Sequence, residues 1–480
     1  MAHFNKADFF NRVYGCWIGK SIGGTLGTPF EGRRELLDVQ DFHSPSGKPL
    51  PNDDLDLQLI WLKALEDQGP LGVNEKVLGE YWLNFIPPHW NEYGIGKSNM
   101  KAGLLPPLSG NHENDWKHSN GAWIRSEIWA CCTPGCPDIA TKYAWFDACV
   151  DHGTGEGTYA ELFTVAVESA AFVETDRNKL IQIGLSYIPA DCRIARSINL
   201  VLDSYNRGLD WKETRRLVME DSADLGWFQA PANVAYFVIG WLYGEGDFKK
   251  SLLTAISCGD DTDCTGATLG SILGIILGAE AIPADWKKQV GDDIISVAID
   301  RGSWVGVPAT CTALTERVIR LTPQVLAAHF AAVELSDAPA DFGDISGDAL
   351  LAPPAYLHWL AAMNGDLTFD FIHTKAAVRY EKGVNIGAGQ ETVVTITLIN
   401  QMPDPRHIAI TYYLPEGFER IEGKQHVNLL HNTGVTSNET VFSVTLRAGQ
   451  SVQAENRGII QMVAEGRPTV MLIPLLFFGV

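Results

Sequence analysis

Three short stretches carry acidic side chains where helices would begin or end. Asn52-Asp53-Asp54-Leu55-Asp56 leads into an apolar run with helical spacing, and Gly259-Asp260-Asp261-Thr262-Asp263-Cys264 opens a second. Glu31 follows a third, just past Thr28-Pro29-Phe30. Carboxylates are hard oxygen donors, suited to Mg²⁺, Ca²⁺ or Mn²⁺ and not to zinc. Two such helix starts sharing one place, with Glu31 beside them, could hold a binuclear centre. That chemistry orients a sugar hydroxyl or diol, makes a bound water nucleophilic and stabilises charge on a leaving group. A plainer reading stands beside it. Acids in a first helical turn offset the macrodipole, and Asn52, preceded by Pro51, is a good N-cap. Capping explains one aspartate well, but three within five residues repel one another.

The elements that must position these acids are marked by glycine. Gly15, Gly19, Gly23 and Gly27 are spaced by four, and so are Gly266, Gly270, Gly274 and Gly278. Residues four apart share a helical face, so each run makes a bare stripe against which another backbone can come close. Each helical glycine costs about 0.5–1 kcal/mol against alanine, a cost that close packing would offset. If the two striped helices pack antiparallel, Glu31 at the exit of the first meets Asp261 and Asp263 at the entry of the second. The alternative is a tightly packed core pair with a solvated acidic cap.

The 480 residues exceed one ordinary core, and 46% hydrophobic content with 14 tryptophans supplies ample material to bury. A formal charge of −21 argues against a nucleic-acid surface. The start lacks the basic and apolar segments of a secretory signal. Nine scattered cysteines do not form a disulfide framework, and Cys132 and Cys136 have no second pair at zinc spacing. The apolar run Thr265–Ile282 reads as a buried helix and not a membrane span. These features together indicate a cytoplasmic protein with no membrane partner; they leave the oligomeric state open.

Helical periodicity dominates from residue 8 to about 335, including an expected helix over Trp286–Ala298. A long stretch from Asn84 to Asn120 reads as a loop walling a site, with Trp82, Trp90, Trp116 and Trp123 available as aromatic platforms and, from His89 to Trp116, only Lys97 and Lys101 as basic side chains for a clamp. Asp151-His152-Gly153-Thr154-Gly155-Glu156-Gly157 is a glycine-rich junction before a helix, where backbone N–H groups could meet a phosphate; His152 reads equally as a structural histidine. Residues 336–365 read as a linker with a short helix. From 366 to 480, β-branched and aromatic runs bounded by turn residues indicate an antiparallel β-sandwich.

Gly15–Gly32, Asn52-Asp53-Asp54 and Gly259–Gly278, in this order, resemble the three hallmark segments of the ADP-ribosylglycohydrolase family (dinitrogenase-reductase-activating glycohydrolase type). The resemblance covers roughly residues 8–335. It implies an all-α catalytic domain (1–335) ahead of the C-terminal sandwich, and a glycosidase with a binuclear, usually Mg²⁺, centre cleaving an ADP-ribosyl or related bond. Carried across, Asn52, Asp53, Asp54, Asp261 and Asp263 would bind metal, and Glu31 with Asp54 would be catalytic. Asn120, Gly121, His152, Gly153 and Gly155 would lie on substrate loops. The sequence departs from the family pattern at Asn52, Leu55, Asp260 and Cys264. Cys264 is a soft ligand poorly suited to Mg²⁺, so one metal position is expected to be weakened, lost or changed in preference. A small sugar glycoside is the alternative substrate to an ADP-ribosylated one, and a non-catalytic, crystallin-like or binding protein is the alternative to an enzyme.

Overall fold

Helix α1 spans Lys6–Gly27, and Asn5 caps it by accepting from the N–H groups of Ala7 and Asp8. In the computed structural model, which describes residues 2–302, 304, 306–363 and 365–480, α1 lies antiparallel to the helix Thr262–Leu277. The two glycine stripes are the contact. A Cβ added at Gly15, Gly19, Gly23 or Gly27 would fall closer than 3.0 Å to the carbonyl oxygen of Gly274, Gly270, Gly266 or Thr262, respectively. The pairing runs in reverse order, so the exit of α1 and the entry of its partner are neighbours.

A backbone clasp fixes that end. Gly32 N–H donates to the carbonyl of Asp260 at 2.9 Å, and Asp260 N–H donates to the carbonyl of Arg33 at 2.8 Å. Asp260 sits at φ 62 after Gly259 at φ 81, a left-handed pair that turns the chain sharply into the Thr262–Leu277 helix. Asp260 tolerates this with its carboxylate held by Arg34 Nε at 3.2 Å.

The chain divides into two units, Met1–Ser98 with Ser109–His358, and Asn99–Leu108 with Trp359–Val480. The first is helical apart from one parallel pair, Ala2–Asn5 against Val333–Ser336. Helix α2, Asp53–Gln68, starts at Asn52, whose Oδ1 accepts from Asp54 N–H at 2.8 Å. Asp56 of its first turn is spent on structure: it accepts from Val297 N–H and Ala298 N–H at 2.5 and 2.7 Å.

Two sequence expectations need correction in this unit. The stretch 84–120 is not all loop, because Asn91–Ala102 is helical; its two glycines and lack of an apolar stripe hid it. The helix expected over Trp286–Ala298 is Ala284–Val290, ended by Gly291 at φ 73. Beyond it the backbone is recruited by Asp56, a long-range contact that local periodicity does not encode.

The second unit is a sandwich of two five-stranded sheets. One is antiparallel throughout, with Glu391–Asn400 at its centre. The other is antiparallel except where Asn385–Ile386 pairs parallel with Phe478–Gly479. Alternate residues of Glu391–Asn400, including Val394, Ile396 and Leu398, are buried in the inter-sheet core. Leu105 and Leu108 pack on that core as well. Among the described residues no helix is long and apolar enough to cross a membrane.

Candidate metal and substrate site

Glu31, Asp53, Asp54, Asp261 and Asp263 line one cavity of about 310 Å³. Each comes from a helix terminus set by the glycine contact or by a cap. Glu31 closes the short 3₁₀ turn Thr28–Phe30, Asp53 and Asp54 form the first turn of α2, and Asp261 and Asp263 flank the entry of the Thr262–Leu277 helix.

The acids form two overlapping donor groups. Glu31, Asp261 and Asp263 can each offer an oxygen within 4.8 Å of one another, and so can Asp54, Asp263 and the Cys264 sulfur. Asp263 belongs to both. Asp54 Oδ2 and Asp263 Oδ1 are buried with no protein partner, which is costly for a carboxylate unless a cation satisfies it. Lys20, a cation beside Asp54, is already committed to Glu127 Oε1 at 2.7 Å. This donor set, mostly hard oxygen with one thiol, fits a divalent cation.

The electrostatics follow from crowding. Loss of water, then the charges of Asp263 and Asp53, raise Glu31 to about 7, although it stands on the exposed rim. Asp53 is raised to about 6 by burial and then Asp263. Burial and Asp263 hold Asp54 and Asp261 well above the usual carboxylate range.

The supporting residues are as informative as the acids. Asn120 donates from Nδ2 to Asp261 Oδ2 at 2.7 Å, and Asp261 N–H donates to Asn233 Oδ1 at 3.0 Å. Asn233 also donates to the carbonyls of Trp227 and Gln229 at 2.8 and 2.9 Å, tying an aromatic loop to the acidic turn. Asn52 presents nitrogen to the site: with Oδ1 capping α2, its Nδ2 donates to Asp263 Oδ2 at 3.3 Å. In this arrangement it orients a carboxylate, and its oxygen is not offered to an ion.

The glycine-rich junction does something other than the sequence suggests. His152 is fully buried, its Nδ1 2.9 Å from Asp151 Oδ1 and its Nε2 3.0 Å from Ser119 Oγ. Gly155 N–H donates to the His152 carbonyl, Glu156 N–H to His118 Nδ1, and Gly157 N–H to the Lys117 carbonyl. Those amides have no capacity left for a phosphate, and His152, Gly153 and Gly155 do not line the cavity. Gly121 does line it; a Cβ there would collide with Glu92 Oε1.

Several wall residues were not singled out from sequence. Glu92 and Tyr93 sit in the helix hidden within the 84–120 stretch, with Tyr93 O–H donating to Asp53 Oδ2 at 3.4 Å. Trp227 and Phe228 form another part of the wall. Of the four tryptophans expected as platforms, Trp90 lines the cavity, Trp116 packs edge-on against Phe228, and Trp82 and Trp123 are fully buried in the core. Acid flanked by aromatics, Trp90-Asn91-Glu92-Tyr93, was the available signal.

Residues 5–318 match the family described as ADP-ribosylglycohydrolase. Comparison with curated proteins gives no match. Among solved structures, an "ADP-ribosylglycohydrolase-related protein complex" is 18% identical over 66% of this chain and 99% of its own, with a TM-score of 0.45. A FixG-related protein from Vibrio parahaemolyticus is 10% identical over 22% of this chain and 96% of its own, with a TM-score of 0.19. The cupredoxin domain of amoB from Nitrosocaldus yellowstonii is 13% identical over 18% of this chain and 55% of its own, with a TM-score of 0.15. The family match spans more than half of the sequence and contains every acid gathered at the cavity, and the chain belongs to the ADP-ribosylglycohydrolase family.

Proposed function

We propose that the chain is a divalent-metal-dependent glycoside hydrolase acting on an ADP-ribosyl or related glycosidic bond. The observation that carries the reading is Asp263, shared by two donor groups, with its Oδ1 and Asp54 Oδ2 buried and unpartnered. Asp53, Asp54, Asp261 and Asp263 would hold the ions, Mg²⁺ or Mn²⁺ by donor hardness. A bound ion would supply polarisation of a water and orientation of sugar hydroxyls. Glu31, raised to about 7, is matched to accept a proton from water near neutral pH. The water oxygen bonds to the anomeric carbon as the bond to the aglycone breaks, and the aglycone leaves with that electron pair and takes up a proton. Tyr93 fixes Asp53, and Asn120 and Asn233 fix Asp261, so the carboxylates keep their directions while the substrate comes and goes. A reducing compartment suits nine cysteines that are all free and buried, so the same proposal places the chain in the cytoplasm.

The test combines elemental analysis of the purified full chain with turnover before and after chelation. Bound divalent metal, loss of turnover on chelation and its return with Mg²⁺ or Mn²⁺ are expected, with Glu31→Gln inactive but still metal-loaded. Full turnover in chelator refutes the metal-dependent reading. A metal-free, inactive protein supports the non-catalytic one.

A further inference from the structure

Two acids in the cavity, Asp53 and Glu92, belong to neither donor group, and only Glu92 is left without a part in the proposed metal centre. Glu92 is 1% exposed, and its Oε2 has no partner in the protein. Its Oε1 occupies the space that the missing side chain of Gly121 leaves open. Burial first, and the charge of Asp151 second, raise it to about 8, so at neutral pH the carboxyl keeps its proton and offers both a donor and an acceptor. Beside it the rings of Trp90 and Tyr93 lie 6.1 Å apart at 27°, and those of Trp227 and Phe228 lie 5.3 Å apart.

Among the described residues lining this cavity there is no lysine, arginine or histidine. Four backbone donors the sequence offers are also taken: Asn120 N–H donates to the carbonyl of Phe228 at 3.1 Å, and those of Gly155, Glu156 and Gly157 are spent as described above. A diphosphate entering here would find neither a side-chain cation nor those amides, and the ions proposed for Asp53, Asp54, Asp261 and Asp263 would be largely balanced by those carboxylates. An uncharged ring would lose far less. Its C–H faces suit aromatic side chains, and its hydroxyls suit a buried carboxyl whose Oε2 lacks a partner.

We propose that Glu92 hydrogen-bonds a hydroxyl of an uncharged sugar ring flanked by these aromatic side chains, so that the substrate is a glycoside whose sugar bears no diphosphate. The proposal rests on the hydrolase reading and narrows its substrate class. Glu92 binds the substrate in it, and Glu31 keeps the proton transfer.

The experiment uses the full chain loaded with Mg²⁺ or Mn²⁺. Steady-state kcat and KM are measured for a panel of uncharged aryl furanosides and pyranosides and for ADP-ribosyl-arginine, with wild type, Glu92→Gln and Glu92→Ala. An uncharged glycoside should be the better substrate by kcat/KM, at least about 10–100-fold, and Glu92→Ala should lose a similar factor on it. For one monodeoxy analogue, lacking the hydroxyl that Glu92 meets, wild type and Glu92→Ala should be equal, a result that a purely structural role would not give. Faster turnover of ADP-ribosyl-arginine than of every uncharged glycoside overturns the substrate class and leaves the hydrolase reading standing. An equal loss for Glu92→Ala on the parent sugar and every deoxy analogue overturns the role of Glu92. No turnover of either class by metal-loaded protein overturns the hydrolase reading, and this inference with it.

Discussion

Asn120 sets the direction of Asp261: its Nδ2 donates to Asp261 Oδ2 at 2.7 Å while its Oδ1 accepts from Trp123 Nε1 at 3.0 Å. The indole N–H can only donate, so it fixes which end of the amide faces the carboxylate. Asn120→Ala removes the donor without adding charge. Metal affinity or activity should fall by about 10–100-fold, the usual cost of losing an outer-shell partner. Titration calorimetry with Mn²⁺ checks this, alongside circular dichroism to confirm folding. Unchanged Mn²⁺ binding and turnover would show that Asp261 is held without Asn120.

The glycine contact makes a sharper steric forecast. Alanine at Gly19 would place its Cβ against the carbonyl of Gly270, backbone against backbone, with no flexible side chain to move aside. Helix propensity favours the change by about 0.5–1 kcal/mol, and overpacking opposes it by about 1–3 kcal/mol or more. Gly19→Ala and Gly270→Ala should therefore lower the melting temperature, measured by differential scanning calorimetry, and weaken metal binding by displacing the acidic turn. Gly226→Ala is the control: nothing lies within 4 Å of its Cβ position, so stability should shift by less than about 0.5 kcal/mol.

Raised carboxylates give the metal-free protein an unusual pH dependence. Glu31 rises from 4.5 to about 7 and Asp53 from 3.8 to about 6. Between those ordinary values and about 7 the folded chain holds protons that the unfolded chain has released. Stability is then full at the acid end of this window and falls as pH rises through it. Metal binding requires deprotonated ligands and releases protons, so affinity should rise over the same interval. Melting temperatures from about pH 5 to about pH 8 should fall in chelator and hold or rise with saturating Mg²⁺. A melting temperature that climbs with pH in chelator would contradict the crowding of Glu31, Asp53 and Asp263.

The convergence of the acids was legible because it depends on patterns the chain states locally. A four-residue glycine period specifies a face, and Asn52 and the Gly259-Asp260 turn specify helix entries. What local pattern did not reveal is where a polar group finds its partner. Free amides after His152 look available in sequence, yet Lys117 and His118 from a distant turn consume them. Asp56 stands in the same acidic stretch as Asp53 and Asp54, but the amides of Val297 and Ala298 claim it. Glu92 becomes notable only through burial against Gly121, and Trp82 and Trp123 lose their part in the wall only through burial in the core. Each miss is a long-range contact overriding a local cue.

Cys264 should bias which ion the proposed centre prefers. Its Sγ lies 3.7 Å from Asp54 Oδ1 and belongs to one donor group with Asp54 and Asp263. Burial, and after it the charges of Asp261 and Asp54, push the thiol well up, so without an ion it is a protonated donor toward Asp54. A sulfur there favours softer ions than an all-oxygen set would. Cys264→Ser keeps a donor of similar size and replaces the soft atom with a hard one. The ratio of Mn²⁺ to Mg²⁺ affinity, measured by calorimetry on the intact chain, should fall in the variant, with Mg²⁺ binding retained or strengthened. Alkylation reports on the same thiol: it is buried and protonated in the wild-type chain, hence sluggish toward alkylating reagents, and bound metal should slow it further. If the affinity ratio is the same in both proteins, the sulfur does not reach the ion, and the carboxylates alone set the preference.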